Sequence, residues 1–322
     1  MTRSYLPRIA DDELSERLNR IGAVLIEGAK GCGKTETARQ LAASEVRLDV
    51  NETIRETAKI APLKVLAGPT PRLIDEWQLA PQIWNAVRRE VDDRGADGLF
   101  ILTGSASPAD DQTRHTGAAR FSRLRMRTLS LAESSLSSQD VSLKELLSGA
   151  KNVSGQSTLT LDDIIEETCH GGWPGDRQRS LLAARRNVTE YVNEIAFGDI
   201  KMADSVRHDP VRVLAVMRAL ARNTATEAAL TTLAADTGEN DPMHPDTVGH
   251  YIRALERLMV LEPLLAWHPV LRSKARVRTS AKHHFVDPAM TDSLLRAGPE
   301  ELSLDLKTFG LLFESLVLRD LR

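Results

Sequence analysis

A chain of 322 residues, 42% of them hydrophobic, holds apolar mass for two or three packed domains of about 100–200 residues each, which excludes a disordered tail. Its 42 Lys and Arg against 45 Asp and Glu leave a formal net charge of −3, so any nucleic-acid contact is confined to a local patch. Two cysteines, Cys32 and Cys169, are too few for a disulfide framework, and no stretch approaches the ~20 apolar residues of a membrane span. A soluble protein of a reducing cytoplasm, without membrane attachment, is the expectation.

The first predicted strand is the apolar run Ala23-Val24-Leu25-Ile26, and the sequence from Thr35 to Ala43 is a good helix former. Between them Gly28, Ala29, Lys30, Gly31, Cys32, Gly33, Lys34 and Thr35 satisfy the phosphate-loop pattern G-x-x-x-x-G-K-[ST]. A loop joining a strand to a helix N-terminus aims backbone N–H groups and the positive helix end at a polyphosphate. Gly28, Gly31 and Gly33 lack Cβ and let the backbone approach phosphate oxygens. Lys34 is a point charge for the β- and γ-phosphates, and the Thr35 hydroxyl is a hard oxygen ligand suited to Mg²⁺. A nucleoside triphosphate is the expected ligand. No Asn-Lys-x-Asp base-selecting motif is present in the sequence, which favours ATP.

Residues 46–50 alternate in polarity, which predicts a half-buried or edge strand beside the phosphate-loop strand or the next one. Pro71-Arg72-Leu73-Ile74-Asp75-Glu76-Trp77-Gln78 reads as a short strand ending in adjacent carboxylates, the look of a Walker B element. Asp75 would hold Mg²⁺ directly or through water, and Glu76 would polarise the attacking water as general base. Residues 81–92 predict an amphipathic helix with Ile83, Trp84 and Val87 on one face. The continuous apolar run 99–102 suits a central parallel strand whose end, Thr103 or Ser105, would sense the γ-phosphate or position water beside the Walker B strand. Alternating strands and helices imply an α/β P-loop domain, a parallel sheet with helices on both faces.

Residues 107–122 are polar and without period, and so long a loop in a compact domain is functional or disordered. Arg120 and Arg123 are candidate arginine fingers. Arg123, Arg125 and Arg127 also alternate with Leu124, Met126 and Leu129, the pattern of a wet face on a fifth strand.

The polar stretch 139–159 reads as a boundary or connector, followed by predicted helices over 162–170 and 177–200. Cys169 and His170 stand without a second ligand pair, so no metal site is assigned to them. From Pro210 the pattern becomes three short helices with apolar sets Val213, Leu214, Met217, Leu220 and Ala221, then Leu230, Leu233 and Ala234, then Val248, Ile252, Leu255 and Leu258. The third would display His250, Arg253 and Arg257. After it Arg272, Lys274, Arg276 and Arg278 recur at every second residue, four cations on one face of an extended strand. A basic hairpin after a three-helix unit is where a DNA-contacting wing would sit; a protein-binding or solvated hairpin is the alternative.

The order of these motifs resembles prokaryotic AAA-type P-loop ATPases that carry a C-terminal domain of unknown function. The resemblance runs through residues 28–35, Leu73-Ile74-Asp75-Glu76-Trp77-Gln78, Leu102-Thr103-Gly104-Ser105 and residues 123–133. It continues through His170-Gly171-Gly172-Trp173-Pro174, Phe285-Val286-Asp287-Pro288 and Gly310-Leu311-Leu312-Phe313-Glu314. It implies an ATPase domain over residues 1–138, a helical connector or lid over 139–209, a winged-helix-like module over 210–286, and over 287–322 the start of a restriction-endonuclease-like domain. In such a domain Glu314 would be an acid of the first helix, but the later metal-binding Asp and Glu-x-Lys strand would lie beyond Arg322, so nuclease activity is not expected. The family pattern has a glycine where Ala119 stands, which weakens the finger role of Arg120. The implied function is a Mg²⁺-dependent ATPase whose nucleotide state controls a C-terminal module binding duplex DNA or protein, within a homo-oligomer if a neighbour supplies the arginine. A non-hydrolysing ATP-gated regulator and a winged-helix DNA-binding protein are the alternatives.

Overall fold

The computed structural model describes residues 5–105, 117–151, 153–203, 208–239, 241–267, 269 and 280–322. The chain divides into two compact units, one comprising residues up to Arg127 with Phe197–Asp209 and His250–Leu261, the other Thr128–Ala196, Pro210–Gly249 and Glu262–Arg322.

The first unit is built on five parallel strands: β1 (Ala23–Gly28), β2 (Ser44–Arg47), β3 (Arg72–Asp75), β4 (Phe100–Gly104) and β5 (Phe121–Met126), in spatial order β2-β3-β4-β1-β5. Every residue of β4, and all of β1 except half-buried Glu27, is buried, which is why their sequences are continuous apolar runs rather than alternating ones. Successive side chains point to opposite faces. Val24, Ile26, Leu73 and Ile101 pack with helices α1 (Ile9–Leu18) and α2 (Lys34–Leu41). Leu25, Ile74 and Leu102 pack on the other face, where Ile83, Trp84 and Val87 come from α5 (Gln82–Arg94), and α3 (Glu52–Ile60) and α4 (Pro62–Leu66) complete the layer. The expected strand near residue 46 is an edge strand, and of the two neighbours expected for it, the phosphate-loop strand or the next one, it pairs with the next, β3. The reason is β4: its fully apolar sequence takes the place between β1 and β3, with Phe100 level with both Ala23 and Arg72.

The second unit is mostly helical. It holds α6 (Leu143–Leu147), α7 (Leu161–His170) and α8 (Leu181–Glu194); a π-turn at Ile195–Asp199 leads out of it, and α9 (Ile200–Ala203) falls in the first unit. Thr160 and Asp163 form a capping box that starts α7, and Ser180 caps α8. The three-helix segment is α10 (Pro210–Arg222), α11 (Leu230–Ala235) and α12 (Pro245–Arg257), which carries the chain across the division between the units. Val213, Met217, Leu220, Leu233, Val248, Ile252, Leu255 and Leu258 are buried as expected, whereas Leu230 is exposed. Strands β6 (Leu261–Leu264) and β7 (Lys282–Phe285) then form a two-stranded sheet, followed by α13 (Pro288–Leu295), α14 (Pro299–Leu304) and α15 (Leu306–Leu321).

Asp287 ties this unit together. Its Oδ2 accepts from Thr128 Oγ1 (2.6 Å), the Gly172 N–H (2.9 Å) and Arg319 Nη1 (3.1 Å), while Oδ1 caps α13 through the Ala289 N–H (3.0 Å). The sequence landmarks around Gly172 and Asp287 thus meet at one buried carboxylate. No helix among the described residues is long and apolar enough to cross a membrane.

Candidate functional site

The loop from Gly28 to Lys34 leaves the C-terminal end of β1, an interior strand between β4 and β5, and enters α2, as the sequence predicts. Gly31 (φ 77°) and Gly33 (φ 105°) take left-handed backbone that suits glycine. At Gly28 the constraint is space: a Cβ there would stand 2.2 Å from the Met126 carbonyl oxygen at the end of β5. Ala29 and Cys32 are buried, and Lys30 is exposed at the tip, 3.4 Å from Asp199. Lys34 is 5% exposed, and its ammonium donates to the carbonyls of Gly28 (2.9 Å) and Ala29 (3.0 Å), which holds the charge across the loop.

Asp75, 3% exposed at the end of β3, gathers the neighbouring hydroxyls. Its Oδ1 accepts from Thr35 Oγ1 (2.8 Å) and Thr103 Oγ1 (2.5 Å), and Arg47 lies 3.8 Å from Oδ2. The parallel register of β3 and β4 brings Thr103 to this acid, as expected from its place at a strand end. Thr103 is fully buried, so its hydroxyl orients Asp75 and also accepts from the Glu76 N–H at 3.4 Å. Glu76 has a left-handed backbone (φ 56°, ψ 46°), a conformation that costs a non-glycine residue about 1–3 kcal/mol and concentrates at functional sites. Its Oε2 accepts from Gln78 Nε2 and from Ser105 Oγ (3.4 Å), so the carboxylate is aimed rather than left to rotate.

Arg120 and Arg123 are not brought to this cluster. Arg120 precedes Phe121, which is level with Ala23 at the start of β1, and its guanidinium pairs with Asp92 of α5 at 2.7 Å. At about 3.3 Å per residue, Gly28 lies about 20 Å farther along the sheet. Arg123 is level with Leu25 and pairs with Glu27 at 2.5 Å beside the Trp84 ring. Parallel pairing of β5 with β1 therefore keeps Arg120 from the phosphate loop of its own chain, while Arg123 is held by Glu27, the residue before Gly28. Of the four residues 272, 274, 276 and 278, all lie outside the described residues. Arg253 is exposed on α12 and Arg257 is half-buried; burial raises the Glu256 carboxyl between them, while Arg253 and Arg125 pull it down.

One residue that sequence reasoning missed is Arg8. It is 8% exposed, and its guanidinium donates to the Cys32 carbonyl (2.7 Å) and the Arg127 carbonyl (2.9 Å). Tyr5 pins the same segment, its hydroxyl donating to Asp11 (2.5 Å) and lying 2.9 Å from Thr37 Oγ1; burial and Asp11 raise its pKa and keep that proton in place. A lone arginine before a charged helix has no local signature that points to a loop 24 residues away.

Residues 21–135 match the family model of an AAA domain, and residues 161–301 match that of a domain of unknown function. A search of the curated proteins found no match. Among solved structures, the Walker-type ATPase PABY2304 of Pyrococcus abyssi aligns at TM-score 0.48 and 11% identity, over 90% of this chain and 96% of that one. The Aeropyrum pernix ORC1 protein in complex with DNA aligns at TM-score 0.30 and 14% identity, over 92% and 95% of the two chains. AMPPCP-bound DnaA from Aquifex aeolicus aligns at 0.29 and 15%, over 80% and 89%. With its phosphate loop after an interior strand of a five-stranded parallel sheet, the N-terminal part of the chain has a P-loop ATPase fold and matches an AAA domain over residues 21–135, and a match to a domain of unknown function follows over residues 161–301.

Proposed function

We propose that the N-terminal domain binds and hydrolyses ATP with Mg²⁺, and that its nucleotide state controls a C-terminal module that binds DNA or protein. The observation that carries this reading is the cluster at the loop exit, where Asp75 holds Thr35 and Thr103 by hydroxyl bonds of 2.8 and 2.5 Å. Lys34, already at the loop mouth, supplies the point charge for the β- and γ-phosphates. The Thr35 hydroxyl and Asp75 carboxylate are hard oxygen donors that suit Mg²⁺, which when bound would neutralise charge on the β- and γ-phosphate oxygens. Glu76, aimed by Gln78 and Ser105, orients the attacking water and takes its proton at a carboxylate oxygen.

For the C-terminal half, the succession of three helices and two strands from α10 to β7 supports a winged-helix-like module over residues 210–286. The basic run Arg272, Lys274, Arg276 and Arg278 supports duplex DNA, bound through phosphates, over a protein partner. The placement of Arg120 and Arg123 favours a second reading, an ATP-gated regulator that hydrolyses only when a neighbouring subunit supplies an arginine. Steady-state ATP hydrolysis with and without duplex DNA separates them. Glu76→Gln should keep ATP binding and lose turnover by about 10²-fold or more, and Lys34→Ala should lose binding itself. Equal turnover in the parent and Glu76→Gln refutes hydrolysis by this site; tight binding without turnover in either condition selects the regulator.

A further inference from the structure

We infer that Arg8 is a positioning residue of the phosphate loop, holding the Cys32–Gly33 peptide so that the Gly33 N–H faces the bound polyphosphate. This rests on the reading of the N-terminal unit as a nucleotide site. In a trans peptide the carbonyl of one residue and the N–H of the next point in opposite directions. Arg8 Nη1 holds the Cys32 oxygen at 2.7 Å from the buried side of the loop, so the Gly33 N–H is directed away from Arg8. Were that peptide to turn over, a carbonyl oxygen would replace an N–H donor opposite the phosphates, exchanging attraction for repulsion. Gly33, in left-handed backbone with φ 105°, has no Cβ to oppose such a turn, so the loop itself is permissive and the constraint comes from outside it.

The brace is anchored at both ends. Arg8 Nη2 bonds the Arg127 carbonyl at 2.9 Å, just beyond β5, whose Met126 is level with Gly28. The Arg8 N–H donates to Asp11 Oδ2 at 2.8 Å, which fixes the point from which the side chain departs. A planar guanidinium can reach two carbonyls on different elements at once, which a lysine ammonium on a flexible stem does less well. The 8% exposure of Arg8 keeps both bonds out of competition with water.

The N–H of Gly33 would contact a phosphate that is bound alike in the ground and transition states, so its loss falls on KM rather than on kcat. Arg8→Lys should raise KM, and the Kd of a fluorescent ATP analogue, about tenfold while kcat changes less than about threefold. Arg8→Ala should do more, with partial recovery of affinity on adding guanidinium ion. Tyr5→Phe is the control, since it loosens the same segment without touching the loop carbonyl; it should leave KM within about twofold. Four results overturn the inference: a parental KM in Arg8→Lys, a fall in kcat at unchanged KM, an equal effect of Tyr5→Phe, or failure of both Arg8 variants to fold. Absence of nucleotide binding by the parent chain is a different result, which refutes the ATP reading beneath it.

Discussion

Replacing Asp287 by alanine should cost the C-terminal unit more than replacing its charge partner Arg319. Asp287 is fully buried and accepts four hydrogen bonds, from Thr128, Gly172, Ala289 and Arg319. Burial works against the Arg319 charge, but Asp287 and Asp320 more than offset it and hold its pKa above the ordinary arginine value. Asp287→Ala leaves a guanidinium with Asp320 alone, a hydroxyl and an N–H facing an apolar void, and the first turn of α13 uncapped. Breaking a buried pair by removing one partner costs about 3–5 kcal/mol, and losing a cap about 1 kcal/mol more, so about 4–6 kcal/mol is expected. Arg319→Met instead leaves Asp287 with its other three donors, and about 2 kcal/mol is expected. Urea unfolding followed through Trp173, 7% exposed and next to Gly172, reports on this unit. A loss below about 1 kcal/mol in Asp287→Ala, or a larger loss in Arg319→Met, would refute the assignment of Asp287 as the tie of the unit.

Gly28→Ala should weaken ATP binding at least about tenfold with the sheet still folded, because its Cβ meets a β5 carbonyl at 2.2 Å and one of the two segments must move; an unchanged nucleotide titration would count against the loop geometry. His284 bonds Ser315 at 2.9 Å and is 2% exposed, and burial pushes its pKa down to about 4; Lys282, His283 and Arg322 act in the same direction and Glu314 against it. Between its unfolded value of about 6.5 and about 4 the unfolded chain takes up a proton that the folded one refuses. Stability is therefore full above about pH 6.5 and falls by about 3 kcal/mol as pH drops to about 4. His284→Gln should remove that part of the acid sensitivity, and parallel urea midpoints for parent and variant across this range would contradict the burial argument.

The elements of the N-terminal domain that were legible in the sequence are those specified by neighbours along the chain. A phosphate loop is eight consecutive residues with fixed roles, β4 declares itself by a run of apolar residues, and α5 by its spacing of Ile83, Trp84 and Val87. Asp75 and Thr103 could be proposed as partners because both stand at strand ends, where parallel pairing brings side chains level. The strand order, the distance of Arg120 from the loop and the brace from Arg8 could not, because each depends on which segments pair in space. Arg8 and Arg127 are 119 residues apart, and Gly172 and Asp287 are 115 apart, so no local pattern joins them. Local periodicity determined what each segment would become; the burial of β4 between β1 and β3, and the hydrogen-bonding demands of Arg8 and Asp287 once buried, decided which residues meet.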